Sequence, residues 1–212
     1  MSCAICHVRR PRRFCPGVRG DICTTCCGTE REVTVDCPLD CIYLRDAHRH
    51  EKIIPTDPHD FPNKDIRVSE EFLHEREPLL LFLARTVLDA ALSTSGAIDF
   101  DVREALDALI RTYRTLQSGV YYETLPTNPL AASICRIVQS ELAEFRKQES
   151  EQRGMTHTRD ADVLGLLVFL QRLELDNNNG RKRGRAYLDF LRTFFPEQPA
   201  ESTPATSSLI VP

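Results

Sequence analysis

The chain has 212 residues, of which 42% are hydrophobic and 27% are charged, and its formal net charge is -4 at pH 7. These values are typical of a globular protein that can bury a core of its own, and a slightly acidic chain has no overall attraction to nucleic acid or anionic lipid. No long apolar stretch follows Met1 and no run is long enough to cross a bilayer, so we expect a cytoplasmic protein without membrane partners.

Eight of the nine cysteines lie between Cys3 and Cys41. In a reducing compartment this crowding is better explained by metal than by disulfides. Two pairs have two intervening residues, Cys3 with Cys6 and Cys23 with Cys26, which is the spacing of knuckles that share one tetrahedral ion. Four cysteines also suit an iron–sulfur cluster, but the knuckles and flanking charges favour zinc. The sequence therefore predicts a closed, structural zinc site.

The remaining cysteines of the segment predict a second structural zinc site: Cys15, Cys27, Cys37 and Cys41. Its ligands would interleave with those of the first site, so that each ion closes a loop that the other also constrains. Cys27 directly follows Cys26, and its assignment to the second ion is open. Imidazole also suits zinc, so three histidines compete for the fourth position: His7, His48 and His50.

Four runs of this segment carry a resemblance: RFCP at 13–16, ICTTCCGT at 22–29, RE at 31–32 and DCPLDCIYL at 36–44. They resemble an uncharacterised bacterial family with an N-terminal cysteine-rich zinc-binding segment and a helical remainder. Over about residues 3 to 44 the order of the cysteine pairs is also similar to crossed-brace zinc modules such as the MYND and HIT fingers. The second resemblance implies a protein partner, although the three-residue gap between Cys37 and Cys41 departs from the usual spacing. Neither resemblance implies an activity.

The sequence predicts a mainly α protein, in which a small N-terminal zinc-finger module is joined to a bundle of about five helices. The module spans residues 1–48, which contain too few aliphatic residues to fold without metal. Residues 49–68 contain three prolines and predict an extended linker or strap. Residues 69–196 form the helical bundle, and residues 197–212 are rich in Pro, Ser and Thr, which predicts a disordered tail.

Helix signals divide the bundle. Ser69 is a good helix start, and Pro78 either kinks that helix or begins the next one. Asp101 resembles the first residue of a capping box, and Asn128 stands before a proline that suits the first helical position. The segment at about 160–175 is apolar nearly all round, so we expect it to be the central helix.

Two basic clusters offer nucleic-acid binding as an alternative function: Arg9, Arg10, Arg12, Arg13, Arg181, Lys182, Arg183 and Arg185. Phe14 is available to stack on a base beside the first cluster. However, the first cluster is also needed to offset thiolate charge, and the second is typical of a solvated approach to a helix. The chain holds no phosphate loop or nucleophile elbow. The main interpretation is therefore a zinc-binding interaction or adaptor protein that binds a protein partner and performs no catalysis.

Overall fold

The structure is a computed structural model that describes residues 2–52, 56–120 and 122–196. The described part is mainly helical, which confirms the predicted fold class. The predicted disordered tail at 197–212 lies outside the described residues, as do residues 53–55 of the predicted linker. None of the described helices combines the length and the apolar character that a membrane span requires.

The N-terminal segment is a short hairpin followed by two helices. Its elements are β1 (Arg13–Cys15), β2 (Gly20–Ile22), α1 (Thr24–Glu30) and α2 (Ile42–His50). The strands pair antiparallel. Gly17 lies in the turn between them, where a Cβ atom would come within 2.5 Å of the carbonyl oxygen of Asp36. Only glycine fits this close approach, so the hairpin turn packs directly against the loop before Cys37.

This segment has a small core of its own. Most of its buried members are cysteines, and they are accompanied by three aliphatic side chains: Ile22, Val35 and Leu44. Three such side chains cannot offset the conformational entropy lost when about 50 residues become ordered. The segment therefore needs a source of stability beyond its own apolar core.

Six helices follow in the described part of the bundle. They are α3 (Glu70–Glu75), α4 (Glu77–Ser93), α5 (Asp99–Gln117), α6 (Pro129–Arg153), α7 (Asp160–Asn177) and α8 (Ala186–Phe194). The helical structure is interrupted at Arg76, between α3 and α4. Pro78 lies in the first turn of α4, where its missing N–H removes no helical hydrogen bond. Pro78 therefore belongs to the start of a new helix. As predicted, α7 is central, and it contacts α4, α5 and α8.

The first residues of α6 and α5 can be compared with the capping residues predicted from the sequence. Asn128 caps α6 as predicted, because its side chain accepts the N–H of Leu130 at 3.0 Å. Helix α5 begins three residues earlier than its capping signal suggests, because its N-cap is Ile98 and not Asp101. Asp101 lies in the first turn, and its carboxylate reaches back to accept the N–H of Ile98 at 2.9 Å.

The described part of the predicted linker lies along the bundle as a strap. Thr56 donates its backbone N–H to Asp176 at the end of α7, at 3.1 Å. Further along, Arg172 of α7 donates to the carbonyl oxygens of Asn63 and Ile66, both at 3.0 Å. The strap thus connects the end of α2 to the start of α3 along the surface of α7.

Candidate metal centre

The two predicted knuckles meet at one point. Four sulfur atoms lie within 4.8 Å of one another: those of Cys3, Cys6, Cys23 and Cys26. Cys23 is the N-cap of α1, and its sulfur accepts the N–H of Cys26 at 3.4 Å, while the N–H of Cys23 donates to the sulfur of Cys3 at 3.3 Å. Zinc–sulfur bonds of about 2.3 Å place the four sulfurs of a tetrahedron about 3.8 Å apart. The donor set therefore fits a closed zinc site whose positions are all filled by protein.

The thiols of this cluster affect one another's pKa values. Burial acts to raise the pKa of Cys3, but hydrogen bonds from the backbone N–H groups of Cys6, Cys23 and Ile5 outweigh it and lower the pKa to about 6. Burial and the neighbouring thiols raise the pKa of Cys26 to about 12. The first thiol to ionise thus makes the last one harder to ionise. A divalent ion would offset this repulsion with its positive charge, and its binding would deprotonate the coordinating thiols.

The other four cysteines are less tightly grouped. Among the described residues, two groups of three or more metal-binding side chains bring their ligand atoms within 4.8 Å, and Cys15, Cys27, Cys37 and Cys41 are in neither. Burial raises the pKa of Cys37 to about 11, and the charges of Cys15 and Cys41 also act to raise it. The sulfur of Cys27 instead accepts from two guanidinium groups, at 3.6 Å from Arg13 and 3.8 Å from Arg31. The second zinc ion remains a prediction.

The three histidines proposed as competing ligands lie elsewhere. His7 is exposed, and His50 is exposed beside Asp46 at 3.7 Å. His48 is different, because its imidazole lies between two carboxylates, with Nδ1 2.9 Å from Asp189 and Nε2 3.1 Å from Glu32. Burial acts to lower the pKa of His48, but the hydrogen bonds to Asp189 and Glu32 outweigh it and raise the pKa to about 9.

Glu32 joins the cysteine segment to the bundle. Its side chain has no exposed surface, and one carboxylate oxygen accepts the backbone N–H of Arg185 at 2.7 Å. The other oxygen accepts from the side-chain amide of Asn179 at 2.8 Å, and the backbone carbonyl of Glu32 accepts the N–H of Arg183 at 2.8 Å. Together with Glu51 and His48, Glu32 forms the second group of ligand atoms within 4.8 Å. Sequence reasoning missed Glu32, because its donors Asn179 and Arg185 lie about 150 residues further along the chain.

Half of the basic residues proposed for nucleic acid are engaged within the protein. The guanidinium of Arg185 is buried and donates to the carbonyl oxygens of Cys37 and Ala97, at 2.8 and 2.9 Å. Arg181 donates to Glu51 at 2.9 Å. A hydrogen bond with Cys23 raises the pKa of Arg9. With Arg13 on Cys27, half of the eight residues bind inside the chain, and the other four are exposed: Arg10, Arg12, Lys182 and Arg183.

Comparisons with protein-family models, with curated proteins and with solved structures give no match. The resemblances stated above therefore remain expectations. The cysteine cluster stands on its geometry alone.

Proposed function

We propose that this is a zinc-binding protein whose N-terminal module acts as a protein-interaction or adaptor surface. Four clustered sulfurs support the zinc, and the outward face of the hairpin supports the interaction. Phe14 is 61% exposed at the centre of β1, directly opposite Asp21 of β2. Its neighbours Arg13 and Cys15 turn inward, so the strand presents a single aromatic ring to the outside.

Exposed apolar side chains recur across this small segment. Val8 is 85% exposed beside the first knuckle, and Ile42 is 60% exposed at the start of α2. Aromatic and aliphatic side chains that remain exposed on a rigid surface are typical of sites that bind another protein. The metal and the contacts of Glu32 and Arg185 with the bundle supply the rigidity.

The zinc part of the proposal is tested by metal analysis of the reduced protein. Native mass spectrometry of the wild type should show one zinc ion for the first site and, if the remaining four cysteines also bind as proposed, two. Cys23→Ser should lose the first ion, because a hydroxyl is a poor substitute for a zinc-bound thiolate. Cys135→Ala is the matched control, since Cys135 is buried among the bundle helices and its loss should leave the zinc content unchanged. Equal zinc content in both variants would contradict the first site.

The interaction part is tested by placing a photo-crosslinking amino acid at position 14 of the full-length zinc-loaded protein. The matched control carries the same group at position 100, because Phe100 is 54% exposed on α5. We expect one protein adduct from position 14 that is absent from position 100 and is lost on zinc removal. The same adducts from both positions, or none from either, would contradict an interaction surface on the hairpin.

Nucleic-acid binding is the alternative, and the exposed arginines near Phe14 are what favours it. Arg10 and Arg12 are exposed just before β1. The same crosslinking experiment distinguishes the two functions, because contacts with phosphates weaken steeply as salt rises. A nuclease-sensitive adduct that disappears with added salt would favour nucleic acid, whereas a protein adduct that persists favours the adaptor.

A further inference from the structure

We propose that Glu32, His48 and Glu51 form a metal site of a different kind, which binds one divalent first-row transition-metal ion where α2 meets the bundle. Each residue offers one ligand atom, and the three atoms lie within 4.8 Å of one another. The site contains no sulfur and lies outside both predicted cysteine sites. Carboxylate oxygen with imidazole nitrogen is a donor set that suits manganese, iron and zinc.

One pair of these donors has a spacing that is compatible with a coordination number above four. His48 Nε2 and Glu32 Oε2 are 3.1 Å apart. For bonds of about 2.1 Å to a common ion, this separation corresponds to an angle of about 95° at the metal. An angle near 90° is typical of five- or six-coordinate geometry. Three protein ligands would then leave positions for water, in contrast to the closed cysteine site.

A shell of hydrogen bonds already orients these ligands. Asp189 Oδ2 lies 2.9 Å from His48 Nδ1 and holds a proton there, so an ion that displaces the proton on Nε2 meets a lone pair directed at Glu32. This carboxylate behind the ring is the usual partner of a metal-binding histidine. Asn179 donates to Glu32 Oε2 at 2.8 Å and to Glu51 Oε2 at 3.2 Å. These hydrogen bonds fix the orientation of the Glu32 and Glu51 carboxylates, as is usual for carboxylates that bind a metal ion.

Charge and burial also favour a cation. Three carboxylates surround the imidazole, those of Glu32, Glu51 and Asp189, and the cations of this group are the protonated His48 and Arg181, which is 2.9 Å from Glu51. One negative charge therefore remains, and a divalent ion that replaces the Nε2 proton of His48 brings the sum to zero. The His48 side chain is only 8% exposed and Glu32 is fully buried, so water screens this charge poorly. A cavity of about 190 Å³ borders His48, Glu51 and Asp189 and gives an ion a path to the site.

The position of the site gives it a structural consequence. All three ligands belong to the N-terminal segment or to the residue just after α2, whereas the supporting residues Asn179 and Asp189 belong to the last loop and α8. An ion would hold the ligands in the orientation in which they make hydrogen bonds to Asn179 and Asp189 of the bundle. We expect it to fasten the module to the bundle independently of the cysteine site.

Manganese binding tests this site without interference from the thiolates, which strongly prefer the zinc they already hold. The zinc-loaded full-length protein is titrated with Mn²⁺, and free Mn²⁺ is measured by electron paramagnetic resonance. We expect one Mn²⁺ per chain. Glu51→Gln and Asp189→Asn should each weaken binding by about 10- to 100-fold. Asp46→Asn is the matched control, because Asp46 is on α2 with its side chain 73% exposed, and its affinity should equal that of the wild type.

Zinc content and the far-ultraviolet circular dichroism of each variant establish that it is folded. A second measurement needs no variant: bound Mn²⁺ should broaden the nuclear magnetic resonance signals of α2 and α8 before those of the distant end of α6. Absence of Mn²⁺ binding by the wild type would overturn the site. Equal affinities of Glu51→Gln and Asp46→Asn, or broadening confined to other surface carboxylates, would overturn it as well.

Discussion

At the scale of one residue, the structure gives Arg185 a role different from the one predicted from the sequence. In the sequence it is the last member of a basic cluster that would suit a phosphate backbone. In the structure its guanidinium pairs with Asp36 and donates to the carbonyl oxygens of Cys37 and Ala97. These partners come from the loop behind the hairpin and from the turn before α5. A buried arginine with satisfied donors is a structural group, so Arg185 holds the cysteine segment on the bundle.

Arg185→Met should destabilise the protein, by about 1–3 kcal/mol for each of the two buried carbonyl groups that it leaves without a donor. Lys182→Met is the matched control in the same loop, and as Lys182 is exposed, we expect a change within about 0.5 kcal/mol. Urea denaturation of both zinc-loaded variants measures the difference. Similar free energies of unfolding for the two variants would show that Arg185 contributes no more than a surface residue.

At the scale of elements, the hairpin depends on a close contact that only glycine permits. A Cβ atom on Gly17 would lie 2.5 Å from Asp36 O and 2.8 Å from Val35 Cγ1. The hairpin positions Cys15 at the end of β1 and leads through β2 to Cys23. A displaced turn would therefore also displace Cys15 and Cys23, the proposed metal ligands on its two sides.

Gly17→Ala should cost about 1–3 kcal/mol through overpacking and should weaken zinc binding. Gly28→Ala serves as the control, because Gly28 lies in α1 with no atom within 4 Å of the place a Cβ atom would take, and a helical alanine is favoured by about 0.5–1 kcal/mol. Denaturation and competition with a zinc chelator measure the two effects. If Gly17→Ala proves as stable and as zinc-retentive as Gly28→Ala, the turn does not pack against the loop as described.

Helix α8 is held by an acidic residue from a remote part of the chain. Asp99 accepts the backbone N–H groups of Tyr187 and Leu188, at 3.0 and 3.2 Å. Burial raises the pKa of Asp99 from 3.8 to about 8, despite these two hydrogen bonds. The folded protein thus retains a proton that the unfolded chain releases at a lower pH.

This proton gives a defined pH dependence. Between about pH 4 and pH 8 the unfolded chain has lost the Asp99 proton and the folded chain has kept it, so stability falls as pH rises across this window and levels above it. Asp99→Asn cannot titrate, so the stability of the wild type relative to this variant should decrease from pH 5.5 to pH 8.5. Comparing the two proteins at each pH cancels any change in zinc binding. A constant or increasing difference would contradict the raised pKa.

How much of the structure the sequence predicts also differs between elements. The first cysteine cluster follows from the spacing of its two knuckles, and α6 follows from Asn128, Pro129 and an apolar stripe, because each signal is local. The contacts of Glu32 could not be predicted, since a glutamate within a polar run gives no indication that its donors arrive about 150 residues later. The sequence makes His48 a candidate metal ligand beside sulfur, whereas tertiary packing places its ring beside carboxylates.

At the scale of the whole molecule, two cores of different chemistry share one chain. The bundle buries a large aliphatic core that includes Leu83, Leu106 and Leu166. The N-terminal segment buries mainly cysteines, and Leu39 is its contribution to the core of the bundle. Because the bundle has a large apolar core and the segment has a small one, removal of the proposed metal should affect the two parts unequally.

Hydrogen exchange before and after zinc removal tests this account most directly. The reduced protein is treated exhaustively with a chelator, its zinc content is confirmed to be zero, and amide protection is compared along the chain. We expect protection to be lost throughout residues 3–44 and to persist in α5 and α7. A zinc-free protein whose residues 3–44 remain as protected as before would contradict the claim that metal takes the place of an apolar core.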